Sequence, residues 1–345
     1  MIDLPDEIAD EAALDELLSR PTDAVVDVLR KLSGDIIFLG VGGKMGPTLA
    51  RMAVRASEAT GVKRRVLGVS RFSNPEQEKT LNAWGIETIR CDLLDPGQVA
   101  KLPDVPNVCA MSALKFGSTG KSALTWGMNT YVPTVVCRRY LKSRIVAFST
   151  GNVYALSDVR LGGARETDPV GPIGEYAMSC LGRERMYEYF SDAHGIPTSI
   201  VRLNYACELR YGVLADMARR VYAGETIDIS MGCVNAIWQG DANAATLQSF
   251  AAAASPAFTF NLAGPELLSV RRICEAFGER FGKKPNFVGQ DATDALISNG
   301  QLCHERFGYP QVPVRRVIDW IAKWTERGGR SLGKPTGFET RDGKF

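Results

Sequence analysis

The sequence predicts an α/β protein, a doubly wound parallel sheet with a smaller C-terminal lobe, and two observations carry that expectation. Short apolar runs, VLGVS (66–70), ETIRCDLL (87–94), NVCAM (107–111), RIVAFST (144–150) and TSIVRLN (198–204), alternate with amphipathic stretches of helical period. That order is expected of parallel strands covered by helices on both faces. Ahead of them, DIIFLGVGGKMG (35–46) runs an apolar strand into Gly40, Gly43 and Gly46 before a helix that begins near Pro47. Gly40 permits the tight turn, Gly43 lets backbone approach a pyrophosphate, and Gly46 lets the helix pack on its strand, with the helix N-terminus facing the anion. Such spacing arises by chance in a chain with 34 glycines. The strand before it and the amphipathic LARMAVRA after it raise it above a glycine-rich turn. The two observations together describe a Rossmann domain whose cofactor loop also carries Lys44 and Met45.

The other elements follow in order. Residues 7–19 and 23–32 have helical spacing broken at Pro21, so 1–34 reads as a helical extension of the nucleotide domain. The nucleotide domain spans 35–205 and returns near 234–262. Its covering helices come from RMAVRASEATG, TWGMNTYVPTVVCRRYLKS and YAMSCLGRERMYEYFSDAHG. After about residue 205 the alternation weakens, and VLADMARRVYAG and VRRICEAFGERFG suggest a substrate lobe over 206–233 and 263–328. The tail RGGRSLGKPTGFETRDGKF (residues 327–345) is basic and rich in Gly, and 329–345 reads as a solvated surface arm. Pairing of that tail with the acidic head is the alternative.

Composition excludes several classes. Over 345 residues the net charge is only +2, with 23% charged and 45% hydrophobic residues, which implies neither nucleic acid nor an anionic membrane as partner. No apolar run approaches the roughly 18 residues of a membrane span, and the first residues are acidic, so the expectation is a cytoplasmic protein. Eight cysteines lie without paired spacing, several inside apolar runs, as buried thiols in a reducing compartment do. No metal-ligand spacing is visible, and His194 and His304 read as structural.

The end of the second strand addresses which dinucleotide is held. An Asp or Glu there takes the adenosine ribose hydroxyls of NAD and repels the extra phosphate of NADP. Here the strand ends in Ser70 and Arg71, a hydroxyl and a guanidinium fork suited to a 2′-phosphate. NADP is favoured, and NAD is the alternative. Asp92, with Leu93 beside it, is placed to reach the adenine edge.

The set GVGGKMG, CDLLD, NVCAMSALK, FSTGNVY, YAMSCLGRE, VRLN, QGDANA, FNLAGPELLSV and NGQLCHERFGYP resembles, in order and spacing, the extended short-chain dehydrogenase/reductases, the NAD(P)-dependent epimerase/dehydratase group. The resemblance covers roughly residues 35–325. It implies that Thr150 polarises the substrate hydroxyl and that Tyr176 is the general acid/base. It further implies that Asn129 stabilises the site and that Lys115 lies near the cofactor. Asn204 and Tyr205 correspond to a substrate-facing loop, joined by Trp238 and by Asn152 beside Thr150. The plainer alternatives are a backbone cap for Thr150, a core helix residue for Tyr176, lobe stitching for Asn204 and Tyr205, and a core aromatic for Trp238.

The main departure is at Cys180, where the resembled family places a lysine that lowers the Tyr pKa. A tyrosine near pKa ~10 is about a thousandfold under-ionised at neutral pH, a deficit of about 4 kcal/mol. One ammonium ~4 Å away at an effective dielectric of ~20 supplies about that much, and a neutral thiol does not. Three explanations stand: another cation substitutes, the reaction needs no phenolate, or the protein binds a cofactor without the usual chemistry. Arg183 and Lys115 are the candidate cations, although a surface salt bridge with Glu184 or Glu188 is the favoured role for Arg183. A packed, inert Cys180 is favoured over a reactive one.

Two further departures bear on substrate. Gly151 and Asn152 replace the acidic pair of the family's dehydratases, so dehydration is not expected. Val234 stands where nucleotide-sugar enzymes carry an Arg, seven residues before Asp241, and Asn235 is neutral too. The expectation is an NAD(P)-dependent oxidoreductase or epimerase acting on a carbinol carbon of a sugar, sugar acid or polyol. The alternative is a dinucleotide-binding sensor or regulator. A homodimer through the helices of Asn129 and Tyr176 is implied by the resemblance.

Overall fold

A computed structural model describes residues 4–115, 120–334 and 336–344. Strand β1 (Ile36–Leu39) is four apolar residues, all buried, as a strand covered on both faces requires. It is followed by β2 (Val66–Ser70), β3 (Ile86–Arg90), β4 (Asn107–Ala110), β5 (Arg144–Thr150), β6 (Thr198–Leu203) and β7 (Phe258–Leu262). These form one sheet in the order β7-β6-β5-β4-β1-β2-β3, with every neighbouring pair parallel. The predicted doubly wound Rossmann sheet is therefore present. Its order reverses between β1 and β4, and that switch point, beyond the strand carboxyl ends, is where such sheets bind ligands. The third strand stops at Arg90, short of the expected 94, because the Asp92 carboxylate accepts from Leu94 N (3.0 Å) and closes a turn.

Helices α1 (Glu11–Leu18) and α2 (Asp23–Lys31) precede the sheet, and α3 (Gly46–Thr60), α4 (Pro75–Ala83), α5 (Val132–Arg139) and α6 (Gly174–His194) cross over its faces. The smaller lobe uses α7 (Val213–Ala223), α9 (Val270–Phe281) and α11 (Val314–Glu326), while α8 (Gln239–Gln248) and α10 (Gln301–Phe307) pack back on the sheet. Two cores lie against the two faces of the sheet, one joining β1 to α2, α3 and α8, the other joining it to α5 and α6. A third joins α7, α9 and α11, and it includes Leu14, Leu17 and Leu18 of α1. Asp241 lies in the first turn of α8, where it accepts from Val312 N at 3.0 Å.

The C-terminal segment departs most from the solvated arm expected of it. Phe338 is 1% exposed within the lobe core, and Thr336 donates from both N (2.6 Å) and Oγ1 (2.5 Å) to Asp216. Arg341 pairs with Asp294 at 2.5 Å and Glu339 with Arg220 at 2.7 Å. Gly343 lies against the start of α6, where a Cβ would sit 2.2 Å from Ile173 O. The acidic head also pairs with basic residues of the C-terminal region: Asp6–Arg316 at 2.9 Å, Glu7–Arg327 at 2.7 Å and Glu11–Arg330 at 3.2 Å. A single aromatic anchor is enough to dock a polar tail once its backbone groups find acceptors.

Helix α6 is held to the sheet by a buried polar seam. Glu184 is fully buried and takes Arg202 of β6 at 2.8 Å and the Ser149 hydroxyl of β5. Arg202 also donates to Tyr154 Oη (2.6 Å), which donates to Asn261 Oδ1 of β7 (2.9 Å). Removing one partner of such a pair leaves an uncompensated buried charge. Arg202→Met is expected to lower unfolding free energy by about 3–5 kcal/mol in chemical denaturation, and adding Glu184→Gln is expected to recover part of it.

Candidate active site

The glycine turn after β1 is built by close approach. Gly40 has φ +91, and a Cβ at Gly46 would lie 2.1 Å from Val41 O, so only glycine brings α3 this near its strand. At Gly43 a Cβ would meet only Gly40 O, at 3.4 Å, and the residue is exposed, which leaves its backbone open to a ligand. No side chain caps α3. Its first N–H groups fit a pyrophosphate, and the loop therefore fits a dinucleotide. A Cβ at Gly42 would lie 2.6 Å from Ser70 Oγ, so the loop and the end of β2 share one corner, beside the exposed Arg71. Asp92 spends one carboxylate oxygen on its turn, and Leu93 is 6% exposed within the core.

Only two described non-glycine residues have positive φ, Phe72 at 47° and Tyr205 at 48°. The first follows Ser70 and Arg71, and the second lines the cavity described next. Such backbone is costly for a non-glycine residue and persists where the surrounding structure over-determines it.

A cavity of about 150 Å³ opens beyond β1, β5 and β6, lined by Lys44, Met45, Lys115, Thr150, Asn152, Tyr176, Asn204 and Tyr205 among others. Eight residues singled out in the sequence, from five separate segments, thus converge on one space. Tyr211, Gln239 and Thr336 also line it. Gln239 sits at the head of the recognised QGDANA segment, whereas no sequence signal marked Tyr211 or Thr336. Trp238 does not line the cavity. It is 2% exposed and packs on Trp320 with ring centroids 5.2 Å apart, a core aromatic as the plainer alternative had it.

Thr150 ends β5, and its Oγ1 lies 3.0 Å from Asn152 Oδ1 and accepts from Asn152 N at 3.2 Å. It caps the following turn, as the plainer alternative had it, and also hydrogen-bonds Tyr176. Burial pushes the Tyr176 hydroxyl well above its ordinary range, and its hydrogen bond with Cys180 adds to the rise. Arg183 and the Thr150 hydrogen bond pull it back. Asn204 is buried, and its Nδ2 has no hydrogen-bond partner in the protein. A buried donor in this position can take an acceptor from the cavity.

Arg183 is not in a surface salt bridge. It is 4% exposed and donates to Phe148 O (3.0 Å) and Asn129 Oδ1 (2.5 Å), while Glu188 pairs with Arg185 at 2.6 Å and Glu184 with Arg202. Asn129 sits in a single wide turn, the π-helix Gly127–Tyr131, a feature that often re-aims a residue at functional sites. Its amide donates to Ser179 Oγ (2.9 Å) and Leu114 O (3.2 Å) and accepts from Leu114 N (3.0 Å), fixing the chain just before Lys115. The Lys115 ammonium lies 5.6 Å from the Tyr176 ring centroid, and desolvation lowers its pKa to about 8.

Cys180 is fully buried with its pKa raised by desolvation. His194 stacks on Phe190, and His304 is buried with Nε2 3.0 Å from Ala263 O. Among the described residues no group of three or more His, Cys, Asp or Glu is placed to hold a metal, and no helix is long and apolar enough to cross a membrane.

A sequence profile described as the NAD dependent epimerase/dehydratase family matches residues 36–238. No curated protein matches the chain. In fold it is similar to UDP-glucose 4-epimerase from Thermotoga maritima, solved with UDP-glucose, at TM-score 0.70 and 18% identity over 85% of this chain and 99% of that one. It is also similar to UDP-glucuronic acid 4-epimerase from Bacillus cereus, in complex with UDP-glucuronic acid and NAD, at TM-score 0.71 and 16% identity over 85% and 99%. A third is dTDP-glucose 4,6-dehydratase from Bacillus anthracis with NAD, at TM-score 0.70 and 14% identity over 86% and 97%. At such identities the likeness is one of fold.

The buried thiols give a direct check. Cys233 is the one cysteine of the eight that is partly exposed. Brief iodoacetamide treatment of the native protein at neutral pH is expected to label Cys233 alone and to spare Cys180, with all eight labelled after denaturation, as read by peptide mass spectrometry.

Proposed function

The chain belongs to the NAD dependent epimerase/dehydratase family, and from that premise we propose that it is an NADP-dependent oxidoreductase or epimerase acting at a carbinol carbon of a small hydroxy compound. The observation that carries the reading is the single cavity in which Thr150, Tyr176 and Asn204 meet the glycine loop. A nicotinamide dinucleotide supplies the hydride acceptor and donor when bound. The loop from Gly40 to Gly46 would hold its pyrophosphate, Ser70 and Arg71 the 2′-phosphate that distinguishes NADP, and Asp92 and Leu93 the adenine side.

The protein's own part is proton handling. A substrate hydroxyl between Thr150 and Tyr176 gives its proton to Tyr176 Oη, and Thr150 orients it. Burial opposes the phenolate, so positive charge has to offset it where the family's lysine is replaced by Cys180. Lys115, its ammonium 5.6 Å from the ring centroid, and Arg183, which pulls the Tyr176 pKa down, are the cations placed to supply it. Two cations, from the loop after β4 and from the far turn of α6, thus stand in for one ammonium on the near turn.

A free sugar, sugar acid or polyol is favoured over a nucleotide sugar. The cavity of about 150 Å³ is small against the ~300–1,000 Å³ of ordinary ligand sites, and Thr336 of the C-terminal segment forms part of its wall. Val234 is fully buried, and Asn235 is committed to Ser298 N (2.8 Å) and Glu266 O (3.2 Å), so neither offers a charge to a diphosphate. Exposed Leu124, Trp126, Tyr131, Met178 and Tyr189 lie on the segments of Asn129 and Tyr176, which supports a homodimer through them.

Binding, turnover and sedimentation check this reading. NADP is expected to bind at least about 10-fold more tightly than NAD, with Arg71→Ala abolishing the preference. Nicotinamide absorbance is expected to change with a small hydroxy compound, Tyr176→Phe lowering kcat by about 10²–10⁴-fold. Normal turnover of a UDP-sugar contradicts the substrate class. If Cys180→Lys creates activity where the native protein has none, the protein is a binder. In sedimentation, the native chain is expected as a dimer and Tyr131→Glu/Met178→Glu as a monomer.

A further inference from the structure

The sheet side of the cavity supplies Thr150 and Tyr176, whereas its wall on the side of the smaller lobe includes Gly212, Val213 at the start of α7, and Thr336 of the C-terminal segment. Thr336 is 3% exposed, and its N–H and hydroxyl both donate to Asp216 Oδ2, at 2.6 and 2.5 Å. Arg219 takes the other oxygen of that carboxylate. A carboxylate only accepts, so the Thr336 O–H is spent as a donor and what remains to offer is a lone pair. The segment after it is tied down on two sides. Phe338 sits in the lobe core and Arg341 pairs with Asp294 at 2.5 Å. A Cβ at Gly174, the first residue of the helix that carries Tyr176, would lie 2.5 Å from Gly343 O. The matched family profile ends at residue 238, so this wall lies outside the part of the chain it describes.

We propose that Thr336 is a specificity residue of this site, its hydroxyl oxygen accepting a hydrogen bond from a terminal hydroxyl of the substrate while Thr150 and Tyr176 engage the hydroxyl that reacts. This rests on the reading of the cavity as the substrate site and names which small hydroxy compounds it takes. They carry a second O–H at the end remote from the reacting carbon. A compound ending there in a methyl group, or in a group that only accepts, such as a carboxylate, leaves the Thr336 lone pair unmet. In a space closed to water that loss is not made good by solvent, so one missing hydroxyl is discriminated against. Phe338 and Arg341 touch no substrate in this scheme. They hold the segment so that Thr336 meets the substrate at a fixed place.

The test is calorimetric titration of the protein saturated with whichever nicotinamide dinucleotide it binds. The probes are pairs that differ by one terminal hydroxyl: glucose and quinovose, galactose and fucose, mannose and rhamnose, all of the D series, and glycerol and propylene glycol. At least one hydroxyl-bearing member is expected to bind at least about 10-fold more tightly than its deoxy partner. Thr336→Val keeps the backbone bond to Asp216 and the shape of the side chain, and it is expected to abolish that difference by weakening the hydroxyl-bearing member alone. Thr336→Ser is expected to retain the difference. In the native protein, hydrogen exchange of residues 336–344 is expected to slow when the hydroxyl-bearing member binds, a readout that needs no variant to fold. Equal binding within every pair overturns the inference, as does unchanged exchange. So does Thr336→Val weakening both members alike, which would make the residue a wall and nothing more. If none of these compounds binds the native protein, the reading of the cavity as a site for small hydroxy compounds falls, and the inference falls with it.

Discussion

A carboxylate with no access to water, Glu184 in the middle of α6, organises this protein. Its pairing with Arg202 and with the Ser149 hydroxyl fixes α6 against β5 and β6 at once. Ser149 is the neighbour of Thr150, and Tyr176 lies two helical turns before Glu184, so one buried contact sets the register between the two hydroxyls of the site. The pair is expensive to bury. Its return is geometric, since a helix held only by apolar contacts could slide without losing much area.

The same helix carries the departure that defines the site. With Cys180 in place of a lysine, the near turn of α6 offers Tyr176 a thiol whose hydrogen bond favours the protonated phenol. Positive charge reaches it from two other directions. Arg183 is locked by Asn129 and Phe148 O, and Lys115 is placed by the Asn129 clamp on Leu114. Asn129 therefore acts on both cations, and the wide turn at Gly127–Tyr131 puts it within reach of both.

What could be read in the sequence was what depends on local pattern. The strands at 66–70 and 144–150 match their apolar runs residue for residue, because strands buried on both faces leave no ambiguity of period. The convergence of Thr150, Tyr176 and Asn204 followed from ordered motifs. Three features depended on partners distant in the chain and stayed illegible. Arg183 had Glu184 and Glu188 at salt-bridge spacing, but each of those acids takes another arginine. Trp238 stands among cavity residues in sequence but turns to Trp320 in space. The C-terminal segment has the composition of a solvated arm, yet Phe338 and the Thr336–Asp216 contact dock it, and that docking brings Thr336 to the cavity.

The central claim is that Lys115 and Arg183 do for Tyr176 what a lysine at position 180 would have done. The most direct test is the ionisation midpoint of Tyr176 in the NADP-loaded protein, followed by NMR of tyrosine labelled with ¹³C at Cζ and assigned with Tyr176→Phe. The account expects Lys115→Met to raise that midpoint by at least about one pH unit, the equivalent of about 1.4 kcal/mol. An unchanged midpoint would show that Lys115 lends the phenolate nothing and would contradict the account.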